Sequence, residues 1–357
     1  MILPKHSIRE MDRTLDLGQD RADYIRLDKN ERTIGYPDTV LNEIVDRLRQ
    51  ANWSMYPDQT TLYSSLANFL ALPESRILLT SGADTAIKYI FETFVSTNDS
   101  VVHLDPTYAM AEVYAVLFGA KTQKISFDDN LGINADEILS EVNDQTRLIY
   151  LANPNQPTGT VIPIEQLEAI ISHAQKTDTL VVIDEAYIQF SQIESAIKLI
   201  DQYSNLIVIQ SFSKAFGVAP ARLGFIVSTP EICNWIRKVK PIHDINLFAL
   251  EIGTYLIANF ELVTSYVNEV RQSAAYLEKF FAKYDIEVVS THTNFIHIRM
   301  PTNTDPKTVA DEFLRAGYLV RANGDNLPKA LRNSIRVTMG PLSQMEIFAR
   351  HLISIIS

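Results

Sequence analysis

Apolar residues fall along this chain in short, nearly unbroken runs separated by stretches at helical spacing. ILLT (77–80), SVVHL (100–104), RLIYLA (147–152), LVVID (180–184), LIVIQ (206–210) and GFIV (224–227) are such runs. Runs of this length without polar alternation predict strands buried on both faces. Between them, Asp84–Phe91, Tyr108–Phe118, and Ile164, Leu167, Ile170 and Ile171 behind Pro163 recur at helical spacing. Strand–helix alternation of this kind predicts an α/β fold, with a mostly parallel sheet covered by helices on both faces.

The pattern changes after residue 246. Positions 247–284 form one long helical pattern interrupted only by Gly253. IEVVS (286–290) and NFIHIRM (294–300) then read as strands, followed by a helix near 306–316, GYLVRA (317–322), SIRVTMG (334–340) and a terminal helix from Ser343. The expected organisation is an N-terminal arm (1–35) packing on the small domain, a large domain (36–246), and a long linking helix with a smaller α/β C-terminal domain (247–357).

Composition narrows this picture. The chain has 357 residues, which at about 150 per domain fits two domains. A net charge of −11 argues against a general nucleic-acid binder. No apolar run is long enough to span a bilayer, and MILPKHSIREMDR lacks the basic-then-apolar order of a signal peptide. Cys233 is the single cysteine, which excludes an intramolecular disulfide and a cysteine-rich metal site. The expectation is a cytoplasmic protein with no membrane partner and no metal.

Four segments at predicted strand ends carry candidate chemistry, because open α/β sheets bind ligands at the carboxyl ends of their strands. Ser81-Gly82-Ala83-Asp84 opens a helix, whose free N–H groups suit a phosphate; it also fits a tight turn capped by Asp84. Asn153-Pro-Asn-Gln-Pro-Thr-Gly159 has a stiff path that would aim an asparagine amide, or is simply a stiff turn. Asp184-Glu-Ala-Tyr187 ends a very apolar strand, so the Asp184 carboxylate needs a partner, which a cationic ring nitrogen or a helix cap would supply. Ser211-Phe-Ser-Lys214-Ala-Phe-Gly217, followed by Arg222, puts a lysine in the cleft. A partly desolvated lysine can form a Schiff base, and Ser211, Ser213 and Arg222 could hold a dianion. Singly each has a plain structural reading. Together they meet the needs of pyridoxal 5′-phosphate (PLP).

With these residues in view, the chain resembles the PLP-dependent transferases of fold type I, among them the class I and II aminotransferases, and most closely the histidinol-phosphate aminotransferase-like branch. The matching segments are YPD (56–58), SGAD, DPTYAM (105–110), NPNQPTG, DEAY, SFSKAFG with Arg222, TNF (293–295) and IRVTMG (335–340), in the family's order over roughly 24–345. The resemblance implies that Lys214 bonds the cofactor and shuttles the proton. It implies that Asp184 pairs with the pyridinium nitrogen, that Tyr187 and Asn153 bond the phenolic oxygen, and that Tyr108 stacks on the ring. The N–H groups of Ala83 and Asp84, with Ser211, Ser213 and Arg222, would hold the phosphate. Tyr56 would reach the partner's cofactor phosphate, so a homodimer with shared sites is expected. Arg336 would clamp the substrate carboxylate, and Asn30 of the arm would help to cover the substrate.

Departures from the family pattern bear on substrate choice. Thr33 and Tyr36 stand where the arm usually has prolines, and His243-Asp244-Ile245-Asn246 replaces a segment often like Tyr-Asn-Val-Asn. With Arg321 near the substrate's distal anion and Arg32 as a second cation, His243 and Asp244 would line the side-chain pocket. The expected activity is amino transfer between an amino donor and a keto acceptor. The alternatives are a PLP decarboxylase of the threonine-phosphate decarboxylase type and a non-catalytic PLP-fold binding or regulatory protein.

Overall fold

The computed structural model describes residues 2–4, 6–9, 11, 20–325 and 327–356, so residues 12–19 of the expected arm lie outside the described residues. Its strands, in chain order, are β1 (Ile25–Arg26), β2 (Ile77–Thr80), β3 (Ser100–Asp105), β4 (Lys121–Ser126), β5 (Thr146–Ala152), β6 (Leu180–Asp184), β7 (Leu206–Ser211), β8 (Gly224–Val227), β9 (Val288–Val289), β10 (Phe295–Arg299), β11 (Tyr318–Leu319), β12 (Arg321–Ala322) and β13 (Ser334–Thr338).

Seven strands form the large sheet in the order β2-β8-β7-β6-β5-β3-β4. All pairings are parallel except those of β8, which runs antiparallel to both β7 and β2. Alternate residues of each strand enter two separate cores. Leu79, Leu151, Ile183 and Val208 join one, while Leu78, Tyr150, Val182 and Ile209 join the other. Helices Ala83–Phe94, Met110–Phe118 and Pro230–Val239 cover the second face. Helices Ile164–Gln175 and Leu247–Ala258 cover the first. This is why the strands read as unbroken apolar runs. β4, with the sequence KTQKIS, is the polar edge strand, and its mostly solvated side chains blunt the edge.

The topology gathers functional segments at one edge. β3, β5, β6 and β7 end there, and so does β2, which is antiparallel to β8. β8 starts at that edge, so Arg222 just before it faces the turn after β2. Thr80 and Ser211 both pair with Gly224. A Cβ at Gly224 would lie 2.9 Å from backbone atoms of Gly82, Ala83 and Gln210, so only glycine allows this approach.

The second sheet is antiparallel, in the order β12-β13-β10-β9. Helix Glu261–Ala282 packs against Leu342–Ile356 beside it. The single helical pattern over 247–284 is in fact two helices meeting at 77° around Asn259–Phe260. The first half, Leu247–Ala258, packs on Asp38–Gln50 and Thr60–Leu70 rather than spanning two units. β1 of the arm pairs in parallel with β11, and Leu27 is fully buried between Leu319 and Thr338. Among the described residues no single helix is long and apolar enough to cross a membrane.

Candidate active site

A cleft of about 710 Å3 opens where the strand ends of the large sheet meet the arm and the β12–β13 edge. Lys214 sits in it because of the turn that follows β7. Phe212 and Phe216 are buried with ring centroids 4.2 Å apart, anchoring the turn and leaving Ser213 and Lys214 facing outward into the cleft. Gly217 closes the turn at φ +68, donating to the Lys214 carbonyl across 3.0 Å. The Lys214 Nζ donates to the Lys29 carbonyl of the arm (3.1 Å) and lies 5.5 Å from the Tyr187 ring centroid.

Asp184 ends β6 and is buried at the cleft floor. Its Oδ2 accepts from the Tyr150 hydroxyl at 2.6 Å and its Oδ1 from the Ala186 N–H at 3.0 Å. Burial raises its pKa above the usual carboxylate value, opposed by the Tyr150 and Ala186 hydrogen bonds and the Lys214 charge. A cationic ring N–H brought against this carboxylate would offset that desolvation. Tyr108 lines the same wall, and burial, then the charges of Asp84 and Asp184, push its phenol up.

The end of the cleft opposite Arg336 suits a phosphate. Helix Ala83–Phe94 starts at Gly82 (φ 86) with no side-chain cap hydrogen bond, and its N-terminus faces this corner, an arrangement that suits an anion. The Arg222 guanidinium lies against Gly82, where an added Cβ would come within 2.7 Å of Nη2. Ser211, Ser213, Ala83 and Asp84 line the same corner. The residues present therefore fit PLP, with a carboxylate for its ring nitrogen, a lysine beside it and an anion cradle at the far side.

The arm and the second sheet build the other wall. Asn30, at φ 56 and buried, donates from Nδ2 to the Tyr187 hydroxyl at 2.9 Å, while its Oδ1 accepts from Thr338 at 3.3 Å. Asn30 lines the cleft, yet its amide is committed to holding Tyr187. Arg336 is buried, donates from Nη2 to the Asp28 carbonyl (2.8 Å), and lies over the Phe295 ring at 5.3 Å. Its Nε is buried without a partner among the described residues. Burial lowers its pKa to about 10, and among the described residues no carboxylate is bonded to it. Arg321 stands directly opposite it on β12 and also lines the cleft.

Five residues expected at the site lie outside this cleft. Asn153 bonds Ile162 through both side-chain ends, donating to its carbonyl (3.1 Å) and accepting from its N–H (2.8 Å), so it closes its own loop. Gln156 of the same loop lines the cleft instead. His243 is exposed and stacks on the exposed Tyr56 ring at 4.0 Å, and neither lines the cleft of its own chain. Asp244 is also elsewhere, paired with buried Lys240 and accepting from Tyr89. Arg32 supplies no second cation to the cleft, because its guanidinium lies 4.2 Å from the ring centroids of both Tyr36 and Tyr266. Residues that the sequence reading did not single out complete the lining: Asp28, Lys29, Gln156 and Asn323. Tyr150, buried behind Asp184, was hidden inside an apolar strand, and the residue just before Pro157 was the available signal for Gln156.

Comparison with known proteins agrees with this geometry. The family model described as aminotransferase class I and II matches residues 22–352. A histidinol-phosphate aminotransferase of Clostridium novyi (strain NT) is 31% identical over 90% of this chain and 88% of its own length. Among solved structures, histidinol-phosphate aminotransferase from Sinorhizobium meliloti in complex with pyridoxal-5′-phosphate superposes with a TM-score of 0.87, at 22% identity, covering 99% of this chain and 97% of that one. L-threonine-O-3-phosphate decarboxylase from Porphyromonas gingivalis superposes at 0.78 with 20% identity, covering 93% and 99%. At these identities the two structures show a shared fold.

Proposed function

The chain belongs to the class I and II aminotransferases, which are PLP-dependent enzymes of fold type I, and on that premise we propose how its residues divide the work of amino transfer between an amino donor and a keto acceptor. The bound cofactor supplies an electron-accepting ring conjugated to the substrate nitrogen. Lys214 would move the proton between the substrate α-carbon and the cofactor carbon that carries the nitrogen, since its Nζ lies in the cleft with Asp184, 5.5 Å from the Tyr187 ring centroid. Asp184 keeps the ring nitrogen protonated. Tyr187, oriented by Asn30, and Gln156 bond the phenolic oxygen, Gln156 taking the part expected of Asn153. Tyr108, on the cleft wall, would stack on the ring. Arg222, Ser211, Ser213 and the N–H groups of Ala83 and Asp84 hold the phosphate.

Arg336 and Arg321 take the anion that the amino donor carries next to its amino carbon. A carboxylate would fill this corner for an amino acid, and a phosphate ester for a histidinol-phosphate-like donor. The observation that carries this reading is the buried Arg336, whose Nε lacks a partner and whose described hydrogen bond goes to a backbone carbonyl. Two cations at one corner favour a dianion.

The reading extends to a homodimer. Tyr56 and His243 form an exposed stacked pair beside the exposed Trp53, Met55 and Ile242. That patch suits a partner subunit, with Tyr56 completing the partner's phosphate site. The arm, large and small domains divide at about 36 and 247, supported by the two separate sheets and by the β1–β11 pairing. A cytoplasmic setting is part of the same reading.

The test is a panel of amino acids and L-histidinol phosphate added singly to the cofactor-loaded enzyme without keto acid. Donors should convert bound cofactor to its amine form, seen by loss of its visible band, with no carbon dioxide released. Stoichiometric carbon dioxide would replace amino transfer with decarboxylation.

A further inference from the structure

His297 is the one polar residue in the Phe295–Ile298 stretch of β10, and it is fully buried. Its ring joins two cleft-lining loops. Nε2 lies 2.9 Å from the Pro157 carbonyl and Nδ1 lies 2.8 Å from Asn323 Nδ2. Pro157 belongs to the stiff loop after β5, Asn323 to the loop after β12, and both line the cleft.

The donors and acceptors at the two ends fix the state of the ring. A carbonyl only accepts, so Nε2 carries a hydrogen. The Asn323 amide is oriented independently, because the Ser334 hydroxyl donates to the Leu331 carbonyl at 2.6 Å and so accepts from Asn323 Nδ2 at 2.7 Å. The second Nδ2 hydrogen is left for His297. Nδ1 must therefore be an acceptor. Both ends demand the same neutral tautomer, and a second ring proton would set N–H against N–H. Burial, together with Arg336 paired opposite on β13, pushes the imidazole down to about 4.

From these contacts we propose that His297 is a positioning residue. A neutral imidazole clamps the Pro157 loop to the Asn323 loop and holds the Asn323 amide with its nitrogen turned away from the cleft. The amide oxygen is thereby offered to the amino donor, as an acceptor for an N–H or O–H group on its side chain. The inference rests on reading this cleft as the active site, and it adds to that reading a preference for donors with a hydrogen-bonding side chain.

The matched probes are L-histidinol phosphate and L-leucinol phosphate, which share the anion and differ in side-chain N–H. In His297→Leu, the cofactor-loaded enzyme should keep its visible band and thermal midpoint within a few degrees. KM for histidinol phosphate should rise about tenfold, the cost of roughly one misplaced buried hydrogen bond, with KM for leucinol phosphate and both kcat values changed far less. His297→Gln, which can still donate toward Pro157, should recover part of the loss. Nitrogen NMR of histidine-labelled protein should show the Nε2–H tautomer without titration between about pH 5 and 8, where ordinary histidines change charge. A cationic or Nδ1–H ring overturns the proposal. So do equal KM losses for both donors with a lowered thermal midpoint, which would make His297 merely structural. Turnover of neither ester by the parent overturns the preference together with the proposed substrate class. Failure of the cleft reading itself is seen separately, as full turnover in Lys214→Ala.

Discussion

Arg321 and Arg336 stand directly opposite each other on antiparallel strands β12 and β13, two cations facing one cleft. Like charges across a strand pair are destabilising by themselves, so the arrangement is useful when an anion sits between them. Arg336→Met should lower kcat/KM for every donor, by roughly 2–5 kcal/mol of lost charge-assisted pairing. Arg321→Met should cost less, and should weaken a phosphate donor more than a carboxylate donor. Steady-state kinetics with both donor types decide the matter. Equal losses in Arg321→Met would leave Arg321 without a part in anion choice.

Tyr150 reaches Asp184 from the neighbouring strand β5 on the same face of the sheet, and its hydrogen bond holds down a carboxylate pKa that burial raises. Asp184→Asn should fold and bind cofactor but lose about 3–4 kcal/mol of transition-state stabilisation, the scale of a preorganised electrostatic contact. Tyr150→Phe should cost about tenfold. Removing a bond that stabilises the ionised form raises the Asp184 pKa, so the acid limb of the kcat/KM profile should move to higher pH. An unshifted acid limb would separate Tyr150 from Asp184 function.

Asn153 and Gln156 should separate stability from catalysis. Asn153→Ala leaves the buried Ile162 N–H and carbonyl unpaired and should cost about 2–6 kcal/mol in chemical denaturation, at roughly 1–3 for each unpaired group. Gln156→Ala should leave stability nearly unchanged while shifting the visible band of bound cofactor and lowering turnover. The reverse pattern would restore Asn153 to the site.

Glu185 lies behind Asp184, fully buried, with its pKa raised to about 7 by desolvation against hydrogen bonds from Ser195, Ala196 and Gln210. A carboxyl with its folded pKa raised binds more protons folded than unfolded between about pH 4.5 and 7. It therefore costs stability as pH rises through that window. Glu185→Gln should flatten the fall in thermal midpoint over this range relative to the parent. Parallel curves for the two proteins would contradict it.

The sheet strands were legible because burial on both faces removes polar alternation, as in Leu180–Asp184. β4 was not, since KTQKIS sits at an edge and half its side chains face water. The break near Asn259 was equally hidden, because helical spacing runs through both halves and the bend depends on which helices each half packs against. At the site, the order of segments along strand ends placed Lys214, Asp184, Tyr187 and Arg222 in one cleft. Which amide of a rigid loop turns inward depends on contacts such as Asn153 with Ile162, distant from any local rule. Arg32 read as a free cation until Tyr36 and Tyr266, remote in sequence, were seen to enclose it.

Lys214 would form the covalent bond to the cofactor. Reducing the cofactor-loaded enzyme with sodium borohydride makes that bond permanent, and peptide mapping by mass spectrometry then locates it. The cofactor mass is expected on Lys214 alone. Label on Lys29, the other lysine lining the cleft, or on no lysine at all, would contradict it.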